Sequence, residues 1–214
     1  RKCQEAAQHV GGSIEIKSFL GFGGSSHIFK LGEQMVMKIP KYGQMVTYLT
    51  RECEILGKLA SCEKPSIPRV MPWGVSNVNL SIRNEISQIK ALRLEGIVGR
   101  TLDTYCKYQC WEIREKFHCV IRDVYDALEY AHSKGVIHMD VKPGNITVRP
   151  KKEGFDVLLG DWGCSRLRNE EIERGGFVGT PAYAHDDLFG KIKNTALMVE
   201  PDFDFASLGY SWYH

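Results

Sequence analysis

The chain has 214 residues, 43% apolar and 25% charged, with a net charge of +2. That is ordinary for a globular protein and long enough for one large domain or two small lobes around a buried core. Acids and bases are interspersed and no apolar run approaches membrane-spanning length, so neither a nucleic-acid nor a membrane partner is implied. The cysteines, at positions 3, 53, 62, 106, 110, 119 and 164, are odd in number and scattered, without a Cys-x-x-Cys pair. They fit an intracellular, reducing setting (cytoplasm or nucleus) better than a disulfide framework. Cys106 and Cys110 stand four apart with no second ligand pair near, so no zinc site is predicted. No signal peptide opens the chain, and its start at Arg1 reads as that of a piece cut from something longer.

Residues 1–12 carry no clear signal and read as a tail or a short lead-in helix. A β-like run Ile14-Glu15-Ile16 precedes a hairpin pattern from Leu20 to Phe29, in which Gly21, Gly23 and Gly24 separate two β-rich runs. Such a tip can bring backbone N–H groups close to an anion, although a simple glycine turn explains the same residues. Met35–Ile39 is strand-like with Lys38 inside it, either an edge residue turned to water or an interior cation. Residues 45–60 show helical spacing, with Leu49, Cys53, Leu56 and Leu59 on one face and Glu52 beside it; Glu54 is the alternative inward acid. Pro65 to Trp73 reads as a connector into a strand, and Ile89–Leu94 as a further strand. The spacing of Ile113, Phe117, Val120, Ile121, Val124, Ala127, Leu128 and Ala131 predicts a core helix from about Trp111 to Lys134, stopped by Gly135.

The densest chemistry follows. Ile137-His138-Met139-Asp140-Val141-Lys142-Pro143-Gly144-Asn145-Ile146-Thr147-Val148 places a histidine, an acid, an ammonium and an amide between two short apolar runs. Leu158-Leu159-Gly160-Asp161-Trp162-Gly163 then puts a second acid at the end of a β-like run. Two acids and an amide on neighbouring strand ends suit a magnesium–nucleotide, because Mg²⁺ prefers oxygen ligands and shares them with phosphates. A loop-rich stretch from Arg166 to Asp187 contains Gly179-Thr180-Pro181-Ala182-Tyr183, and Asp204-Phe205-Ala206-Ser207-Leu208-Gly209 comes later.

His-x-Asp-x-Lys-x-x-Asn resembles the catalytic loop of protein kinases, and Asp-Trp-Gly resembles their Asp-Phe-Gly motif. The glycine hairpin, the Lys38 strand, Arg51-Glu52-x-x-x-Leu56 and Gly179-Thr180-Pro181-x-Tyr183 are similar to further motifs of the family, in family order. The resemblance implies an α+β, bilobal protein-kinase-like fold. Residues 1–95 would form a small, mainly antiparallel β N-lobe with one helix, and 96–214 a mainly α-helical C-lobe, incomplete after the start of the family's αF helix. It implies a protein serine/threonine kinase using ATP and Mg²⁺, with Mn²⁺ as a substitute, and a protein substrate. Asp140 would orient the attacking hydroxyl and Lys142 steady the γ-phosphate; Lys38, held by Glu52, would grip the α and β phosphates. Asn145 and Asp161 would hold the metal. Gly21, Gly23, Ser26, Ile28, Val36, Leu94, Glu95, Ile97 and Thr147 would line the ATP site, with Leu94 as gatekeeper, and Gly179, Thr180 and Pro181 would form the substrate loop.

Departures from the family pattern are as informative. Ser26 stands for the third glycine, which predicts a stiffer loop, and Val36 stands for a small alanine. The Lys38-to-Glu52 gap is short for the family. Met139 replaces the arginine that pairs with a loop phosphate, and Ser165 is the only hydroxyl between Cys164 and Gly179. The reading is therefore a kinase that works without activation-loop phosphorylation, since charge-pair ordering needs both partners. His185-Asp186-Asp187 departs from Ala-Pro-Glu, and the chain stops before most of the αF helix, so a missing segment or a partner would complete the C-lobe. Phe203 to Trp212 is accordingly expected to expose apolar surface. Cys164 reads as packing rather than as a reactive thiol. The alternatives are a pseudokinase or ATP-binding scaffold, and a small-molecule kinase of the aminoglycoside or choline type.

Overall fold

The computed structural model describes residues 7–9, 12–13, 18–60, 66–82, 85–188 and 195–211, with side chains undescribed for 7–13, 72–73, 79–82, 85–87 and 109–115. Strands β1 (Ala7–His9), β2 (Gly12–Ser13), β3 (Ser18–Phe22), β4 (Ser26–Gly32) and β5 (Met35–Pro40) come first, followed by α1 (Val46–Lys58). Next are β6 (Arg69–Ile82) and β7 (Glu85–Glu95). The strands form one antiparallel sheet in the order β2-β1-β6-β7-β5-β4-β3. Residues 7–9 and 12–13 thus add strands rather than the tail or lead-in helix their sequence suggested; a strand two or three residues long carries no periodicity to read. Ile14–Ile16 lies outside the described residues.

Beyond β7, the loop 96–99 leads to β8 (Arg100–Thr101) and the long α2 (Leu102–Ser133). The helix begins well before Trp111. Leu102 and Tyr105, three apart, are buried at its start, but two apolar residues amid polar neighbours are too few to register as a helical stripe. Its later face is as the spacing predicted, with Val120, Val124, Ala127, Leu128 and Ala131 all buried in the main core. Gly135, at φ +70°, ends it in the left-handed region that glycine adopts without strain.

The remaining elements are short: β9 (Val136–Ile137), β10 (Ile146–Pro150), β11 (Phe155–Leu159), β12 (Arg166–Leu167), β13 (Glu171–Ile172), β14 (Leu197–Met198) and α3 (Asp202–Tyr210). The β10–β11 hairpin pairs β8, β12 pairs β9, and β13 pairs β14. Leu49, Ile55 and Leu56 of α1 join Val124, Leu128, Leu159 and Trp162 in one apolar core, so the helix of the sheet half and the hairpin of the helical half share an interior. Of the stretch expected to expose apolar surface, Phe203 and Leu208 are buried, because Phe203 packs beside Ile137 and Met139 and Leu208 joins the main core, while Tyr210 is exposed and Trp212 lies outside the described residues. No helix among the described residues is long and apolar enough to cross a membrane.

Leu128 is fully buried between α2 and the β10–β11 hairpin's core. Leu128→Ala should lower the unfolding free energy by about 2–5 kcal/mol, the transfer plus cavity cost of such a truncation, measured by denaturant unfolding.

Candidate active site

A cleft of about 560 Å³ opens between the sheet and the helical half. Its roof comes from β3, β4 and β5, where Gly21, Gly23, Ser26, Ile28, Val36 and Lys38 line it. Leu94, Glu95 and Ile97 close its back, and Thr147, Asn145 and Asp161 form its floor with Lys142. Every residue the resemblance assigned to nucleotide or metal therefore lies on one cavity. The Gly23 N–H donates to Ser26 O at 2.8 Å, and the Lys41 ammonium donates to Gly24 O at 3.2 Å. Ser26 is buried at the base of the loop, so the residue in the third-glycine position packs inward.

Lys38 is held from two sides. Its Nζ donates to Glu52 Oε1 and Oε2 at 2.6 and 2.8 Å and to Asp161 Oδ1 at 3.4 Å. Glu52 is 1% exposed, whereas Glu54 points to water; the short gap is taken up by a single 3₁₀ turn, Gly43–Met45, that feeds α1 at once. Burial disfavours the Lys38 ammonium, but the two carboxylates outweigh it and hold its pKa above the ordinary lysine value. For Glu52, burial pushes the carboxyl up and Lys38 pulls it down. With two Nζ–O contacts under 3 Å, we take the pair as charged on both sides at neutral pH. Burial likewise opposes ionised Asp161, yet Lys38 brings its pKa below the usual carboxylate range.

Asp140 lies at the centre of a second network. Its carboxylate accepts from Lys142 Nζ at 2.7 Å, Thr180 Oγ1 at 2.6 Å and Asn145 Nδ2 at 2.9 Å. Lys142 also donates to Thr180 Oγ1 at 2.6 Å, and Asn145 Nδ2 to the Asp140 carbonyl at 2.7 Å. Gly179, at φ +99°, makes this approach feasible, since a Cβ there would overlap the Met139 carbonyl oxygen. The amide nitrogen of Asn145 is used twice within the protein, which leaves its oxygen as the atom for a cation. With Asp161 close by, one lysine serves two acids, Glu52 buried and Asp161 partly exposed to the cleft, and the cluster carries a surplus of negative charge. That donor set of hard oxygens fits Mg²⁺ sharing its shell with phosphates.

The loop's backbone is fixed from below. Asp204, fully buried at the start of α3, accepts from the backbone N–H groups of His138 and Met139 at 2.7 and 2.8 Å and contacts His132 Nε2 at 2.8 Å. His138 receives the Asp140 N–H on Nδ1 at 3.2 Å and pairs Nε2 with Gly160 O at 3.0 Å, so the proton sits on Nε2. Its ring stands edge-on to Trp162 at 4.5 Å, and the Trp162 indole N–H donates to Leu159 O at 2.8 Å. Met139, in the left-handed region at φ 69°, is 4% exposed among Ile137, Ile172, Ala184 and Phe203. Cys164 is half-buried, and its thiol pKa is pushed up to about 12, chiefly by desolvation and then by Asp140 and Asp161, consistent with packing.

Sequence reasoning missed several cleft residues. Asp103 and Thr104 at the start of α2, Pro68 and Val98 line the cavity without having been assigned to the site, and Leu158 lines it although only Asp161 of its run was. Placing the helix start at Thr101 would have found Asp103, since an acid in the first turn of a helix is a recognisable signal.

A family model described as "Protein kinase domain" matches residues 14–214. The chain belongs to the protein kinase family. Among its relatives, a calcium/calmodulin-dependent protein kinase type II of Caenorhabditis briggsae is 36% identical over 74 residues, covering 35% of this chain and 14% of that protein. A death-associated protein kinase related protein of Drosophila melanogaster is 34% identical over 112 residues, or 52% of this chain and 16% of the relative. A probable serine/threonine-protein kinase PknB of Bifidobacterium longum is 26% identical over 185 residues, 81% of this chain and 26% of the relative. The matched stretches thus span a quarter or less of the first two relatives and about a quarter of the third.

Burial keeps the His138 imidazole below its ordinary pKa, against the pull of Asp204 and Asp140. The unfolded chain takes up this proton near pH 6.5 and the folded one only at lower pH. The contribution to stability is therefore complete above about pH 6.5 and drains away below it, by at most ~1.4 kcal/mol per pH unit. Unfolding curves between pH 5 and 7.5 should show this fall, and His138→Gln should flatten it.

Proposed function

We propose that this kinase-family chain is an ATP-dependent protein serine/threonine kinase that transfers the γ-phosphoryl group of Mg-ATP to a protein hydroxyl. The observation that carries the reading is the Asp140 carboxylate, held by Thr180 and by Lys142 and Asn145, the last two of which line the same cleft as Lys38, Glu52 and Asp161. Phosphoryl transfer asks for positioning and charge neutralisation rather than covalent help, and both are supplied by this arrangement. Asp140 orients the acceptor hydroxyl and takes its proton, Lys142 steadies the γ-phosphate, and Lys38 grips the α and β phosphates. Asn145 and Asp161 would hold Mg²⁺, which neutralises phosphate charge when bound. The glycine loop covers the phosphates, and Leu94, Glu95 and Ile97 bound the adenine slot between an N-lobe, 1–95, and a C-lobe from 96. The shared contact of Lys142 and Thr180 with Asp140 supports the serine/threonine assignment, as do the names of the relatives.

We further propose that the enzyme needs no phosphate on the segment after Asp161. Ser165 is fully buried with its hydroxyl donating to His138 O at 3.3 Å, so a modifying enzyme could not reach it. Met139 meets Ile172 of that segment within an apolar cluster, which does by packing what an arginine–phosphate pair does by charge. The free thiols at Cys53, Cys119 and Cys164 agree with an intracellular location.

Radiolabelled ATP with magnesium and generic basic proteins tests the assignment. Label should appear on Ser or Thr. Asp140→Asn should lower kcat by roughly 10²–10⁴, as loss of a positioned base does, and Asp161→Ala should abolish transfer. Phosphatase treatment of the bacterially produced protein should leave activity unchanged. Magnesium-dependent ATP binding without label would indicate a scaffold, and label on an amino alcohol or sugar a small-molecule kinase.

A further inference from the structure

α1 carries Arg51 and Glu52 side by side, and the two reach in different directions. Glu52 turns inward to Lys38. Arg51 reaches the segment that follows Asp161, where its Nη2 donates to both oxygens of Glu170 at 2.6 and 2.7 Å and its Nε to Ser165 O at 3.1 Å. Arg166 approaches the same carboxylate, with Nε 3.9 Å from Glu170 Oε2, while its Nη1 donates to Cys164 O and Ser165 O at 3.2 and 3.1 Å.

Glu170 is itself anchored. Its carbonyl accepts the Val199 N–H at 3.2 Å, its own N–H donates to Leu167 O at 2.8 Å, and the next two residues pair as β13 with β14. The carboxylate is thus a fixed negative charge between two arginines, presented to α1 by a segment held down by backbone bonds. A lone exposed ion pair contributes little. This one is two-pronged, half-buried and adjacent in sequence to the residue that sets Lys38.

We propose that Glu170 is a positioning residue for phosphoryl transfer. Gripped by Arg51, it holds α1 against the segment after Asp161 and so keeps Glu52 on Lys38. A built-in acid supplies the charge that would otherwise have to be added to that segment. This rests on the phosphotransfer reading above and extends it with the residue that makes added phosphate unnecessary. Slackening of α1 would loosen Lys38 and lower the rate of transfer, while the surfaces that meet the protein acceptor stay in place.

The test compares the wild type with Glu170→Gln, Glu170→Asp and the charge swap Arg51→Glu with Glu170→Arg. Readouts are kcat, KM for the protein acceptor, and hydrogen exchange across residues 46–58. Glu170→Gln, nearly the same shape, should lower kcat about tenfold, as loss of a charge-assisted contact does, with acceptor KM unchanged and faster exchange in α1. Glu170→Asp and the swap should recover most of the rate, and about 0.5 M NaCl should slow the wild type more than Glu170→Gln. Wild-type kcat and wild-type exchange in Glu170→Gln would overturn the proposal, as would a swap no better than the single changes. Should the wild type transfer no phosphate to any acceptor, the phosphotransfer reading fails. Exchange in α1 still decides the clasp on its own: unchanged protection in Glu170→Gln would sink it.

Discussion

The ammonium of Lys38, shared by the carboxylates of Glu52 and Asp161, is the contact on which the cleft depends. It joins a strand, the helix that follows it and the turn after β11, whose Asp161 lies 123 residues from Lys38. Each of the three groups would be costly to bury alone, and each is tolerable because the others are charged. The arithmetic of charge leaves one negative unit over, next to Asp161 and the amide of Asn145. An apolar replacement of Lys38 and Glu52 would pack as well, so the cluster is better understood as a device for aiming charge than as a source of stability.

Met139 and Trp162, which stand where the family pattern has Arg and Phe, are both absorbed by packing. Met139 keeps the left-handed backbone of the loop, and its side chain enters an apolar cluster where a guanidinium would find no partner in water. Trp162 is wholly buried, with its ring against His138 and its indole N–H satisfied by Leu159 O. A larger ring under α1 costs nothing here because its polar edge has an acceptor. Gly163, directly after it, lies so close to α1 that a Cβ there would crowd the Tyr48 carbonyl oxygen.

What could be read from the sequence was whatever a short local pattern fixes. Asp140, Lys142 and Asn145 lie within six residues and share one loop, and the glycine hairpin and Lys38 lie on consecutive strands, so order alone brought them together. Helical phase set Glu52 beside the apolar face but left Glu54 as the alternative, and only the packing of α1 turns Glu52 inward. The clasp of Arg51 on Glu170 spans 119 residues and leaves no periodic trace. The same holds for Asp103 at the cleft mouth, which belongs to a helix start that only two buried residues announce. The strands at 7–9 and 12–13 form because β6 offers an edge, a condition set by tertiary structure and not by their own residues.

Asp204 has a consequence for how the molecule is made. Its carboxylate accepts two backbone N–H groups of the loop that holds Asp140, 66 and 65 residues earlier in the chain. When that loop leaves the ribosome its acceptor has not yet been synthesised, and the amides of His138 and Met139 stay in water. Closing so long a loop is slow relative to forming the α2 helix or the β10–β11 hairpin on either side of it. In the nascent chain the backbone amides of His138 and Met139 therefore stay without this acceptor until α3 docks.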